Sequence, residues 1–185
     1  LTMGPKVKQF EQEFSEYIRV KHSIAVNSCT SALYLSLLVN GIKKGDEVIT
    51  TPFTFTSTAN VIVHTGARPV FVDIKEDTYN IDPEKIKQAI TDKTRAIIPV
   101  HYAGQPCDMK QIKEIAEDKN LVIIEDAAHA IGSEFENNKI GSINDFTCFS
   151  FYATKNLTTG DGGMITTDDD KVAEQLKVLL LHGMS

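Results

Sequence analysis

A three-layer α/β/α fold with a mostly parallel central sheet is predicted by two features of this 185-residue chain. Short, near-continuous Val/Ile runs alternate with amphipathic helical segments, the pattern of strands buried on both faces. No internal repeat, low-complexity tract or linker interrupts that alternation, so one domain is predicted over residues 1–185. With 42% hydrophobic and 24% charged residues, the chain can bury a sizeable core, which excludes a disordered or disulfide-dependent class.

The elements follow in order. Residues 5–20 place Val7, Phe10, Phe14, Tyr17 and Ile18 at helical spacing, giving one buried stripe. Residues 24–27 are a short β-rich run. Ser28-Cys29-Thr30 then opens an apolar helix over 31–39, ended by Asn40-Gly41. Strands are predicted at 47–50, 69–74, 96–101, 121–126, 147–151 and 164–167. Helices are predicted at 57–64, 83–90, 109–118 and 171–181, with Pro83 in a first turn, where its missing N–H costs nothing.

Several function classes drop out. Lys and Arg total 19 against 25 Asp and Glu, a formal charge of −6 with no strong basic block, so no nucleic-acid partner is expected. Cys29, Cys107 and Cys148 form no CxxC pair and read as small apolar residues in a reducing compartment. Apolar stretches at 33–39 and 178–181 are too short to cross a bilayer, and no signal peptide opens the chain. A cytoplasmic protein without a membrane partner is expected. Asp168-Asp169-Asp170 sits where a helix begins and reads as a cap, and the five histidines lack ligand spacing, so no metal is expected.

In open α/β sheets, ligands bind beyond the carboxyl ends of the strands. Four such ends carry polar residues: Asn27-Ser28, His101-Tyr102, Glu125-Asp126 and Ser150. Lys155 follows the last of these, just before Gly160-Asp161-Gly162-Gly163. A lysine beyond a buried strand is open to desolvation, which favours the neutral, nucleophilic amine. Asp126, beside the small pair Ala127-Ala128, suits a buried cation such as a protonated pyridine nitrogen. The helix opened by Ser28–Ser31 offers free amides and a positive dipole end to a phosphate, with Ser150 as a further donor. Phe55 stands in a loop where it could stack on a flat ring. Taken singly, each has another reading: a solvated lysine, a capping aspartate, capping hydroxyls, a core phenylalanine. Amine, carboxylate, phosphate seat and stacking ring together match a pyridoxal phosphate site.

Four motifs, in order along the chain, resemble the DegT/DnrJ/EryC1/StrS sugar aminotransferases. They are Asn27-Ser28-Cys29-Thr30-Ser31-Ala32-Leu33, Pro99-Val100-His101-Tyr102-Ala103-Gly104, Glu125-Asp126-Ala127-Ala128-His129-Ala130, and Phe149-Ser150-Phe151-Tyr152-Ala153-Thr154-Lys155-Asn156 with the Gly-Asp-Gly-Gly after it. The resemblance implies the type I aminotransferase fold, of which this chain is the cofactor-binding large domain. It implies that Lys155 joins the aldehyde of pyridoxal 5'-phosphate and that Asp126 keeps the pyridine nitrogen protonated. Thr30, Ser31 and Ser150 would bind the phosphate, Phe55 would stack on the ring, and His129 would lie near the 3-hydroxyl. The implied reaction is ping-pong transfer from an amino donor, L-glutamate, to a nucleotide-linked keto-sugar. The Val-His-Tyr-Ala-Gly and Asp-Ala-Ala-His segments look closest to enzymes acting at C4 of a UDP-linked 4-keto-sugar. Surface polysaccharide or glycan synthesis is the family's common destination.

Cys29 stands where glycine or alanine is common, and Asp161 where glutamate is usual. Family members are roughly twice as long and work as homodimers. The resemblance therefore implies that a C-terminal small domain and the extreme N-terminal segment lie outside this chain. Two other readings belong beside the transferase. Sugar dehydratases on the same cofactor carry histidine in place of Lys155, and a non-catalytic regulatory module of the same fold would not need the Lys155/Asp126 pair.

Overall fold

A computed structural model describes residues 4–180. In chain order its elements are α1 (Pro5–Ile18), β1 (His22–Val26), α2 (Cys29–Val39), β2 (Glu47–Thr50), α3 (Thr56–His64), β3 (Arg68–Phe71), α4 (Pro83–Ala89) and β4 (Thr94–Ile97). There follow α5 (Met109–Lys119), β5 (Val122–Asp126), β6 (Glu134–Phe135), β7 (Asn138–Lys139), β8 (Phe146–Ser150), β9 (Gly163–Thr167) and α6 (Asp170–Leu180). Seven strands form one sheet in the order β1-β9-β8-β5-β4-β2-β3, and β6 with β7 makes a separate small hairpin. The pairs β3–β2, β2–β4, β4–β5 and β5–β8 are parallel; β9 alone runs against its neighbours β8 and β1.

Neighbouring residues along a strand point to opposite faces, and both faces here are covered by helices. Val48, Ala96, Ile124, Cys148 and Ile165 pack with Leu33 and Leu37 of α2, Val61 and Ile62 of α3, and Leu176 of α6. Their sequence neighbours Ile49, Ile97 and Ile123 face Ile86 of α4 and Ile112 and Ile115 of α5. Phe149 and Met164 face Phe14 and Ile18 of α1. Three layers result, as the sequence predicts.

Strand and helix ends shift by a few residues from expectation. The predicted strand at 96–101 is a strand only to Ile97, because the chain turns off the sheet into a short 3₁₀ turn, Tyr102–Gly104. The predicted helix at 171–181 starts one residue earlier; Leu181 and His182 lie outside the described residues. The aspartate run caps that helix as expected: Asp169 accepts from the amides of Lys171 (2.8 Å) and Val172 (3.0 Å). Among the described residues there is no cluster suited to a metal ion, and no helix long and apolar enough to cross a membrane.

Candidate active site

The carboxyl ends of β1, β5 and β8 converge on one cleft of about 830 Å³. Thr30, Phe55, Asp126, His129, Ser150 and Lys155, six of the seven expected site residues, line it. Ser31 does not: its hydroxyl donates to Asn27 Oδ1 (2.6 Å) and its amide to Ser28 Oγ (3.1 Å), so it completes the cap of α2. A second hollow of about 710 Å³ borders Val122 and Phe146, at the opposite ends of β5 and β8.

Asp126 ends β5 and is 4% exposed. Its Oδ2 accepts from Thr58 Oγ1 at 2.8 Å, and its Oδ1 from the Ala128 amide at 3.2 Å, with the Cys29 thiol 4.0 Å away. All three are neutral donors. None of the ion pairs among the described residues includes Asp126. A buried carboxylate without a cation is costly, and the open side of this one faces the cleft. Thr58 is itself fully buried on α3 and meets Thr54 Oγ1 at 2.9 Å. Sequence reasoning missed Thr58; its partner is 68 residues away, and nothing local marks it.

The start of α2 offers an arrangement suited to a phosphate. Ser28 Oγ and Ser28 C=O accept the amides of Ser31 and Ala32, leaving those of Cys29 and Thr30 free at the positive end of the helix. Gly163, the first residue of β9, makes this approach possible. A Cβ there would fall 2.5 Å from the Ser28 carbonyl carbon and 2.7 Å from the Cys29 nitrogen.

Lys155 is half-buried in the turn after β8, its amide bonded to the Tyr152 carbonyl (2.9 Å). Partial burial lowers the His129 pKa, and the Lys155 charge lowers it further, which favours the neutral imidazole. Burial, then the charge on Asp126, raises the Cys29 thiol well above its usual range, which favours its protonated form. Phe55 is 77% exposed, an aromatic face with no protein cover among the described residues.

Beneath the floor lies a second carboxylate. Glu125, fully buried, accepts from Thr147 Oγ1 (2.8 Å) and Asn144 Nδ2 (3.2 Å) and contacts His101 Nε2 (2.8 Å). The Cys107 amide donates to His101 Nδ1 (3.1 Å), which assigns the ring proton to Nε2 and so to the Glu125 bond. This network ties the segment after β4 to β5 and β8, fixing the spacing of the strand ends.

A half-buried lysine, a carboxylate lacking a cation, free helix-terminal amides and an uncovered phenyl ring fit a phosphorylated pyridine aldehyde group by group. The family profile described as the DegT/DnrJ/EryC1/StrS aminotransferase family matches residues 1–185. The chain is 58% identical over 185 residues to the spore coat polysaccharide biosynthesis protein SpsC of Bacillus subtilis, covering all of this chain and 48% of SpsC. It is 46% identical to the GDP-perosamine synthase of Caulobacter vibrioides, over 99% of this chain and 49% of that protein. The PLP form of Spr1654 from Streptococcus pneumoniae superposes with a TM-score of 0.95 at 40% identity, covering all of this chain and 53% of that one. A PMP form of Spr1654 matches equally well. The chain thus spans about half the length of the curated relatives it matches. The predicted fold class and pyridoxal 5'-phosphate as cofactor are borne out by these comparisons. On its sequence and its fold, the chain belongs to the DegT/DnrJ/EryC1/StrS aminotransferase family.

Proposed function

We propose that the protein carrying this chain moves an amino group from L-glutamate to a nucleotide-linked keto-sugar, a UDP-linked 4-keto-sugar in the first instance. The product serves surface polysaccharide or glycan synthesis. The chain is its cofactor-binding large domain, and the working enzyme is a cytoplasmic homodimer. The observation that carries this reading is Asp126, a carboxylate 4% exposed, met only by neutral donors and open to the cleft that holds Lys155.

The cofactor, when bound, supplies the electron sink that stabilises a carbanion beside the transferred nitrogen. Everything else falls to the chain. The free amides of Cys29 and Thr30, with the hydroxyls of Thr30 and Ser150, would hold the phosphate. Asp126 would keep the pyridine nitrogen protonated, and Thr58 fixes the carboxylate orientation. Phe55 would cover one ring face, and His129 would lie beside the ring hydroxyl. Lys155 would hold the aldehyde through Nζ, and its free amine would serve as the acid and base that moves the proton of the transfer.

The test incubates the full-length protein with L-glutamate and a panel of UDP- and dTDP-linked keto-sugars. Mass spectrometry should show one sugar exchanging its carbonyl oxygen for an amine. No exchange on any member, with cofactor bound and glutamate consumed, would overturn the sugar assignment.

A further inference from the structure

Asp126 is not alone as a buried carboxylate at this end of β5. Its sequence neighbour Glu125 is 0% exposed, sealed by the chain's own core. Successive side chains leave a strand on opposite faces. Asp126 therefore meets Thr58 of α3 on one side, while Glu125 shares the other with Ile123 and α5.

The groups around Glu125 define its state. Thr147 Oγ1, Asn144 Nδ2 and His101 Nε2 converge on its two oxygens. Three donors suit the ionised carboxylate, which accepts hydrogen bonds and gives none. Asn144 leaves its own Oδ1 without a donor among the described residues and keeps its N–H for Glu125.

His101 does not cancel this charge. Burial disfavours a charged ring; Cys107 and Glu125 outweigh it, pushing the pKa up to about 10 where Cys107 is a thiolate. Cys107 is not one, because its Sγ donates to the Val100 carbonyl at 3.2 Å. Its amide also donates to His101 Nδ1 at 3.1 Å, so a second ring proton would set N–H against N–H. The ring is neutral, and the pair keeps a full negative charge.

Backbone bonds hold that charge beside Asp126. The His101 amide donates to the Asp126 carbonyl (3.1 Å), and the Asp126 amide to the Pro99 carbonyl (2.9 Å). Main chain, not the Glu125 side chain, thus fixes where Asp126 stands. Two adjacent buried anions repel each other, and a cation in the cleft relieves both.

We propose that Glu125 is a second buried charge of the cofactor site: it touches no ligand, and from beside Asp126 it favours a protonated pyridine nitrogen. This rests on the reading of Asp126 given above. The test measures, in the full-length protein, the dissociation constants of pyridoxal phosphate and its 1-deaza analogue, which carries C–H in place of the ring nitrogen. Glu125→Gln removes the charge and keeps the shape. The new carbonyl accepts from His101; the new amide donates to Thr147 and, once the Asn144 amide turns over, to its unpaired Oδ1. Across about 10 Å, at an effective dielectric of about 20, the preference for pyridoxal phosphate should fall about tenfold. A structural role alone would change both constants by the same factor, and a preference within about twofold of wild type would overturn the proposal. Asp126→Asn should cut the preference at least about a hundredfold. Should it leave the preference unchanged, the reading of Asp126 fails and this proposal with it. A second measurement needs no variant: nitrogen-15 NMR of the wild type should find the His101 ring with Nε2 protonated and Nδ1 bare. Protons on both nitrogens would neutralise the pair and sink the proposal.

Discussion

Glu47 and Asp126 are buried carboxylates of the same sheet, 5% and 4% exposed, yet their surroundings have nothing in common. Glu47 begins β2, at the end away from the cleft, and its oxygens are satisfied by Arg68 Nη2 (2.5 Å) and Thr91 Oγ1 (2.7 Å). Those hydrogen bonds, Arg68 first, lower its pKa. Asp126 ends β5, at the cleft, and receives only neutral donors. The lesson is that burial alone does not mark a functional carboxylate. The missing cation does, because the fold leaves a place for one that a ligand must supply.

The largest effect expected is at the residue facing Asp126 across the cleft. Lys155→Ala should lower transfer by about three orders of magnitude or more and abolish borohydride-dependent attachment of pyridoxal phosphate, read by peptide mass spectrometry. Turnover at the wild-type rate would remove Lys155 from the chemistry.

Paired substitutions break the comparison directly. Asp126→Asn should lower kcat about a hundredfold or more while changing stability by less than about 1 kcal/mol, since no ion pair is lost. Glu47→Gln should do the reverse, leaving activity within about twofold and costing about 1 kcal/mol, a modest figure because Arg68 is 69% exposed and its charge screened. Urea melts and steady-state kinetics on both variants decide the matter. Similar profiles for the two would erase the distinction.

Gly163→Ala sharpens the role of the phosphate seat. The added methyl would stand 2.5 Å from the Ser28 carbonyl carbon, so backbone must move, at about 1–3 kcal/mol, and cofactor should be released on gel filtration. Thr58→Val removes one donor from Asp126 and should lower kcat/KM about tenfold with the cofactor still bound.

The smallest effect concerns pH. The lowered pKa of Glu47 means its pairing stabilises the fold fully above about pH 4.3 and is lost as pH falls through the lower folded value. Thermal melts between pH 3 and 6 should therefore fall more steeply for wild type than for Glu47→Gln.

Much of this was legible from residue order. Apolar runs such as Ile123-Ile124 and Cys148-Phe149 announce strands covered on both faces, because each neighbour pair feeds opposite cores. Asp126, Lys155 and the start of α2 are marked as candidates by their places at strand ends. What escaped depends on distance. The antiparallel insertion of β9 between β1 and β8 is a long-range pairing with no local sign. The β6–β7 hairpin has two residues per strand, too few for a period-2 pattern. Ser31 has the type and position of a phosphate ligand, but its hydroxyl and amide bond Asn27 and Ser28, which only the geometry reveals. Phe53, Tyr79 and Tyr102 pack together from three separate loops, and no spacing rule connects them.

The central claim is that Asp126 requires a cation from the ligand. Nitrogen-15 NMR of the full-length protein loaded with ring-labelled pyridoxal phosphate measures this at the atom concerned. The pyridine nitrogen should be protonated throughout pH 6–9 in the wild type and unprotonated at pH 8 in Asp126→Asn. A wild-type nitrogen that is unprotonated at pH 8, or one whose shift is the same in both proteins, would contradict it.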